Sequence, residues 1–93
     1  MTTYTTKLTA RVVFDNGIER FFTTTNTAEL DDEDKITCRD LVTHMRELVR
    51  RAYRENSYGS ITVGDMTINL HKTSAVLVTL HIYDVDGKLV ETI

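Results

Sequence analysis

Apolar and polar residues alternate along most of this chain, and the period changes once. Leu8, Ala10, Val12 and Phe14 alternate with Lys7, Thr9 and Arg11, and the run "IERFFTTT" follows after "FDNGIE". Such period-two patterning predicts strands. Asn16-Gly17 between them is a strong hairpin signal, predicted as a two-residue turn with positive φ at both positions. Near the other end, "AVLVTLHIY" and "KLVETI" flank Asp86-Gly87 in the same way. A third turn is expected at Gly64-Asp65, where Met66, Ile68 and Leu70 alternate with Thr67, Asn69 and His71. A polar second face means a sheet covered on one side only.

The cover comes from the segment where the period shifts to 3.6. At 100° per residue, Leu48, Leu41, Ala52, Met45, Cys38, Val49, Val42 and Tyr53 fall in one arc of about 140°. This predicts a helix from Cys38 to Glu55, with Thr37 as N-cap, Asp40 completing a shortened capping box, and "ENSYG" as the stop. The whole chain, residues 1–93, is then a single α+β domain. The expected architecture is a two-layer sandwich, an antiparallel sheet with one main helix on one face, in the order β-β-α-β-β-β-β. The first residues, rich in threonine, are expected to fray.

Charge changes the picture more than composition does. The net charge is −3, so the molecule as a whole does not attract nucleic acid. Locally, five acids and no base lie between Glu29 and Asp34, whereas five arginines face two acids between Arg39 and Arg54. A single cysteine, Cys38, excludes an internal disulfide framework and suits a reducing cytoplasm. The N-terminal stretch has no signal-peptide pattern, and "AVLVTLHIY" is too short to span a membrane. A cytoplasmic location is therefore expected.

Arg39, Arg46, Arg50 and Arg54 occupy an arc of about 80° beside the apolar face. Arg46, Arg50 and Arg54 succeed one another at i, i+4, where like charges repel by about 0.2–0.5 kcal/mol per pair. Three readings fit this stripe. It is a contact surface for phosphates or an acidic protein face, a solvated helix edge shielded by aliphatic stems, or one half of an internal ion-pair network with the acidic run. The acidic run, Asp31, Asp32, Glu33 and Asp34, either imitates nucleic-acid phosphates or complements the helix dipole. Cys38 falls among the core positions. His71 and His81 are expected to share the open sheet face and to neighbour one another across strands. Two histidines without a carboxylate or thiolate give no usable metal signal. No catalytic motif, phosphate loop or cofactor signature is present, so neither enzyme activity, a small-molecule substrate nor a cofactor is expected.

The runs "TTKLTARVVFDNGIERFFTTTNTAELD", "CRDLVTHMR" and "MTINLH" resemble a small phage-encoded anti-CRISPR protein acting on the type I-F surveillance complex. The likeness extends over most of the chain without a diagnostic motif. It implies a stoichiometric inhibitor in the host bacterial cytoplasm that binds the guide-RNA-loaded complex and blocks target-DNA hybridisation; the chain itself is expected to be a monomer. On that resemblance Arg39, Arg46, Arg50, Arg54 and Lys72 would meet guide-RNA phosphates or acidic protein edges. Tyr53 would stack on a guide base, and the acidic run would face lysines that otherwise grip DNA. Two alternatives stand beside it. One is a small nucleic-acid-binding module using the arginine helix. The other is a structural homodimeric phage protein joined through an edge strand or the open face, where Phe21, Leu77 and Tyr83 are expected to point outward.

Overall fold

The computed structural model describes residues 2–55 and 59–93, so residues 56–58 of the expected helix stop lie outside it. The chain runs β1 (Thr2–Phe14), β2 (Glu19–Leu30), α1 (Asp32–Arg54), β3 (Ser60–Val63), β4 (Met66–Asn69), β5 (Thr73–Tyr83) and β6 (Leu89–Thr92). This is the expected α+β order, with two differences in extent. β1 begins at Thr2, because Thr2 to Val13 pair in unbroken register with Leu30 to Glu19. The threonine-rich start is therefore laddered and not frayed, in keeping with the strand preference of β-branched residues. The other difference lies at the start of the helix.

Asp31, not Thr37, is the N-cap. Its carboxylate accepts the Asp34 N–H at 2.9 Å, and the Asp34 carboxylate accepts the Asp31 N–H at 3.0 Å. An Asp at the cap with acids through the first turn satisfies the orphan N–H groups and complements the helix dipole. The acidic run is thus the first turn of α1, which begins six residues before the predicted start. Thr37 instead donates its hydroxyl back to the Glu33 carbonyl at 3.1 Å, as threonines within helices do.

Four strands form an antiparallel sheet in the order β2-β1-β5-β6, and β3 and β4 form a separate two-stranded ribbon. The two turns at Gly17 and Gly87 are built alike. Gly17 N–H bonds the Phe14 carbonyl and Phe14 N–H bonds the Ile18 carbonyl; Gly87 and Asp84 with Lys88 repeat that pattern. Only the glycines take positive φ, 85° and 81°. These are three-residue loops, a type I turn followed by a left-handed glycine, and not the predicted two-residue turns. The side chains explain the difference. Asn16 Oδ1 accepts the Ile18 N–H, and Asp84 Oδ1 accepts from Asp86 and Lys88. Such bonds favour the open type I geometry.

The core lies between the sheet and two covers. Leu8, Ala10 and Val12 stand opposite Leu80, Val78 and Val76, so these alternate residues share one face. Val42 and Val49 of α1 are buried against them. The ribbon β3-β4 contributes Val63 and Ile68, with Leu70 just beyond it, while its Thr62 and Thr67 remain exposed. The ribbon lays this apolar face on the same core as a second cover. Of the eight expected helix core positions, six join the core; Leu41 is 52% exposed, and Leu48 is half-buried outside the core cluster.

Candidate functional site

The four stripe arginines of α1 divide into an anchored pair, Arg39 and Arg46, which reach the β5–β6 side of the sheet, and an outward pair, Arg50 and Arg54. Arg39 forms an ion pair with Glu91 on β6 through its Nε and Nη2 atoms. Arg46 donates Nε–H and Nη2–H to the Val78 carbonyl at 3.0 and 2.8 Å, and Nη2–H also to the backbone oxygen of Ile93 at 2.8 Å. Both residues therefore fasten the helix to the sheet. Arg50 and Arg54 share one counter-charge, Glu47, at 2.9 and 3.8 Å, and their side chains are 68% and 65% exposed. The i, i+4 repulsion expected among arginines is relieved by placing this carboxylate between the two.

A shallow groove of about 330 Å³ opens beside these residues, lined by Arg46, Val49 and Arg50 on the helix and by Val76 to Thr79 on β5. Arg46 and Arg50 therefore border a groove that Val49 and the β5 edge also line. Arg46 meets no Asp or Glu side chain among the described residues; its donors go to the Val78 carbonyl and the Ile93 backbone oxygen.

The other sequence-derived candidates fall in different surroundings. Tyr53 packs against the core and shares a 2.6 Å hydrogen bond with the Thr73 hydroxyl, so it is a structural tether at the end of the helix and not an outward stacking ring. Lys72 stands next to Thr73 at that same end of the molecule, with φ 58°, and its carbonyl accepts the Asp15 N–H. Asp31 and Asp34 spend their carboxylates on the cap, and hydrogen bonding from the Asp34 backbone holds the Asp31 carboxyl below the usual range. Asp32 and Glu33 are exposed in the same turn. The stripe and the acidic turn do not pair with one another; the carboxylates that meet the stripe are Glu47 and Glu91. That answers the internal-network reading: a network exists, but with different partners.

The open face carries a second group that the sequence patterning left unassembled. His81 and Tyr83 stack at 6.3 Å between centroids, and Lys7 Nζ lies 5.5 Å from the Tyr83 ring centre. Phe21 and Leu77 flank Arg11 across the strands and are 63% and 48% exposed, as expected for outward positions. His71 is not beside His81. It lies just past β4 in a pocket with Phe14 and Phe22, whereas His81 pairs with Lys7 towards the other end of β5. Among the described residues no group of three or more histidine, cysteine or acidic side chains converges on a metal position. Cys38 packs against the core, and burial, then the Asp34 and Glu91 carboxylates, push its thiol above the ordinary value. No helix is long and apolar enough to cross a membrane among the described residues. In comparison with known proteins, the chain matches no family model, no curated protein and no solved structure.

Proposed function

We propose that this chain works by docking on a macromolecular partner through the arginine side of α1, and that it is a stoichiometric inhibitor of the guide-RNA-loaded type I-F CRISPR surveillance complex. One observation carries the docking reading. In a protein of net charge −3, Arg50 and Arg54 project from a helix whose neighbouring arginines, Arg39 and Arg46, are bonded to the sheet. An anchored helix spares the cost of ordering backbone on binding, and the planar guanidinium fork matches phosphates or carboxylates. The resemblance of the runs quoted above supplies the target.

The arginine stripe narrows accordingly. Arg50 and Arg54 make the contact, with Lys72 at the same end; Arg39 and Arg46 position them. Asp32 and Glu33 offer the acidic surface at the opposite end of the helix. Binding to the assembled complex, with its protein subunits as well as its RNA, fits a molecule with separated patches of opposite sign and a negative total.

The test is capture by immobilised guide-loaded type I-F complex beside capture by free guide RNA and free duplex DNA over a range of salt. The expected result is retention on the complex and none on the free strands. Salt-sensitive binding to free strands, with log K falling by about 0.7–0.9 per tenfold rise in salt for each phosphate neutralised, would replace this reading with a nucleic-acid-binding module. Binding to none of the three would remove the type I-F complex as the target.

A further inference from the structure

The two sides of the main sheet are finished differently. On the β5 side, β6 pairs over part of the strand, and where that pairing stops Arg46 places its guanidinium on the Val78 carbonyl. On the other side, β2 runs for 12 residues, and among the described residues no strand pairs with its outer edge. Leu80 and Ile93 exchange both backbone bonds, so Leu80 turns its N–H and C=O towards β6. Counting back through the alternating ladder, the β2 residues that turn these groups outward are Glu19, Phe21, Thr23, Thr25, Thr27 and Glu29. All six are exposed.

Edge strands are ordinarily guarded by lysine, proline, a bulge or brevity. β2 has none of these: its pairing with β1 is unbroken, it contains no lysine or proline, and it bears no charge from Phe21 to Ala28. Its length is about 40 Å at 3.4 Å per residue. Phe21 and Phe22 on it are 63% and 41% exposed.

We infer that β2 is a sheet-extension interface for a second copy of this chain, paired antiparallel about a two-fold axis at Thr23 to form one eight-stranded sheet. The uncharged middle of this edge, Phe21 to Ala28, offers nothing with which to select a foreign strand by charge, and its own copy matches it in length and composition. The register follows from side-chain pairing. An axis at Thr24 sets Glu19 opposite Glu29, like charges that repel. An axis at Thr23 sets Phe21 opposite Thr25, Phe22 opposite Thr24 and Glu19 opposite Thr27, joining aromatic to β-branched residues. Strand-edge pairing of this length lies at the small end of stable interfaces, so the dimer dissociates on dilution. A dimer revises the expected monomer and requires nothing of the target. It sets the two arginine-bearing sides at the far ends of the joined sheet, so a dimer presents two docking edges.

Sedimentation of the full chain from micromolar to millimolar concentration tests it, with amide hydrogen exchange in parallel. The expected result is a reversible monomer–dimer equilibrium, with exchange at Phe21, Thr23 and Thr25 slowing as the dimer forms. Thr23→Lys puts two like charges opposite one another at the axis and raises the dissociation constant at least about tenfold, with the circular dichroism spectrum unchanged. Thr25→Pro removes an outward N–H without touching the β1 ladder and acts in the same direction. Thr79→Lys, in the middle of the open face, leaves the dimer intact. A monomer at all concentrations overturns the inference, as does dimerisation of the folded Thr23→Lys variant equal to wild type. Loss of the dimer in Thr79→Lys overturns it in favour of face-to-face stacking.

Discussion

The Arg46 guanidinium donates two hydrogen bonds to the Val78 carbonyl, at 3.0 and 2.8 Å, where the β5 edge passes beyond its pairing with β6. A helix side chain thus stands in for the next strand. A third bond, to the Ile93 oxygen, ties the same guanidinium to the end of β6. Arg46→Met keeps much of the aliphatic stem but leaves these acceptors without a donor. It is expected to lower stability by about 2 kcal/mol in urea unfolding, whereas Arg46→Lys restores only part of the loss because an ammonium cannot reproduce the planar fork.

The cap at Asp31 gives an acid-side signature. Hydrogen bonding from Asp34 depresses the Asp31 pKa in the folded state. A depressed carboxyl contributes stability that is present above its unfolded value, about 3.9, and is lost as pH falls through the folded value. Asp31→Asn retains an N-cap acceptor without the titration, so the decline of melting temperature below about pH 4 becomes shallower. Asp31→Ala removes the cap and lowers the melting temperature at neutral pH by a few degrees.

Gly64 tests the seat of the β3-β4 ribbon on the main sheet. Its φ is 62°, and an added Cβ would come within 2.8 Å of Leu8 Cδ2. Because that atom ends a flexible side chain, the backbone conformation is the larger part of the penalty. Gly64→Ala is expected to destabilise by about 1–2 kcal/mol in chemical denaturation, and Gly64→Asn by less.

Cys38 is expected to react slowly with a thiol reagent in the folded protein. Burial disfavours its thiolate, and the Asp34 and Glu91 carboxylates act in the same sense. Asp34→Asn with Glu91→Gln should quicken labelling at a given pH, while labelling of unfolded chain is the same for both proteins.

Much of the fold was legible because burial follows period. Alternation placed β1, β2 and β5, and the 3.6-residue pattern placed Val42 and Val49 inward. The helix start is ambiguous in the sequence because Thr37 and Asp31 are both good caps, and only the reciprocal bonds from each backbone N–H to the other's carboxylate, between Asp31 and Asp34, decide between them. Turn type escaped for a similar reason: Asn16-Gly17 suits a two-residue turn, but the Asn16 side chain bonds Ile18 and opens the loop. At the site, the wheel found the arginine stripe but could not separate anchored from outward members. Glu91 and Val78, which hold Arg39 and Arg46, are 52 and 32 residues away in sequence. The uncapped run of β2 carried its own signal, since no lysine, proline or charge interrupts Phe21 to Ala28.

The most direct measurement of the proposed function is a titration of guide-loaded type I-F complex with the wild-type chain and with an Arg50→Glu, Arg54→Glu variant, reading target-DNA binding. Both positions are exposed, so the variant should fold with an unchanged circular dichroism spectrum. The expected result is loss of target binding at a fixed molar ratio of wild type to complex, and little loss with the variant. Undiminished target binding at saturating wild type, or equal inhibition by the folded variant, would contradict the account.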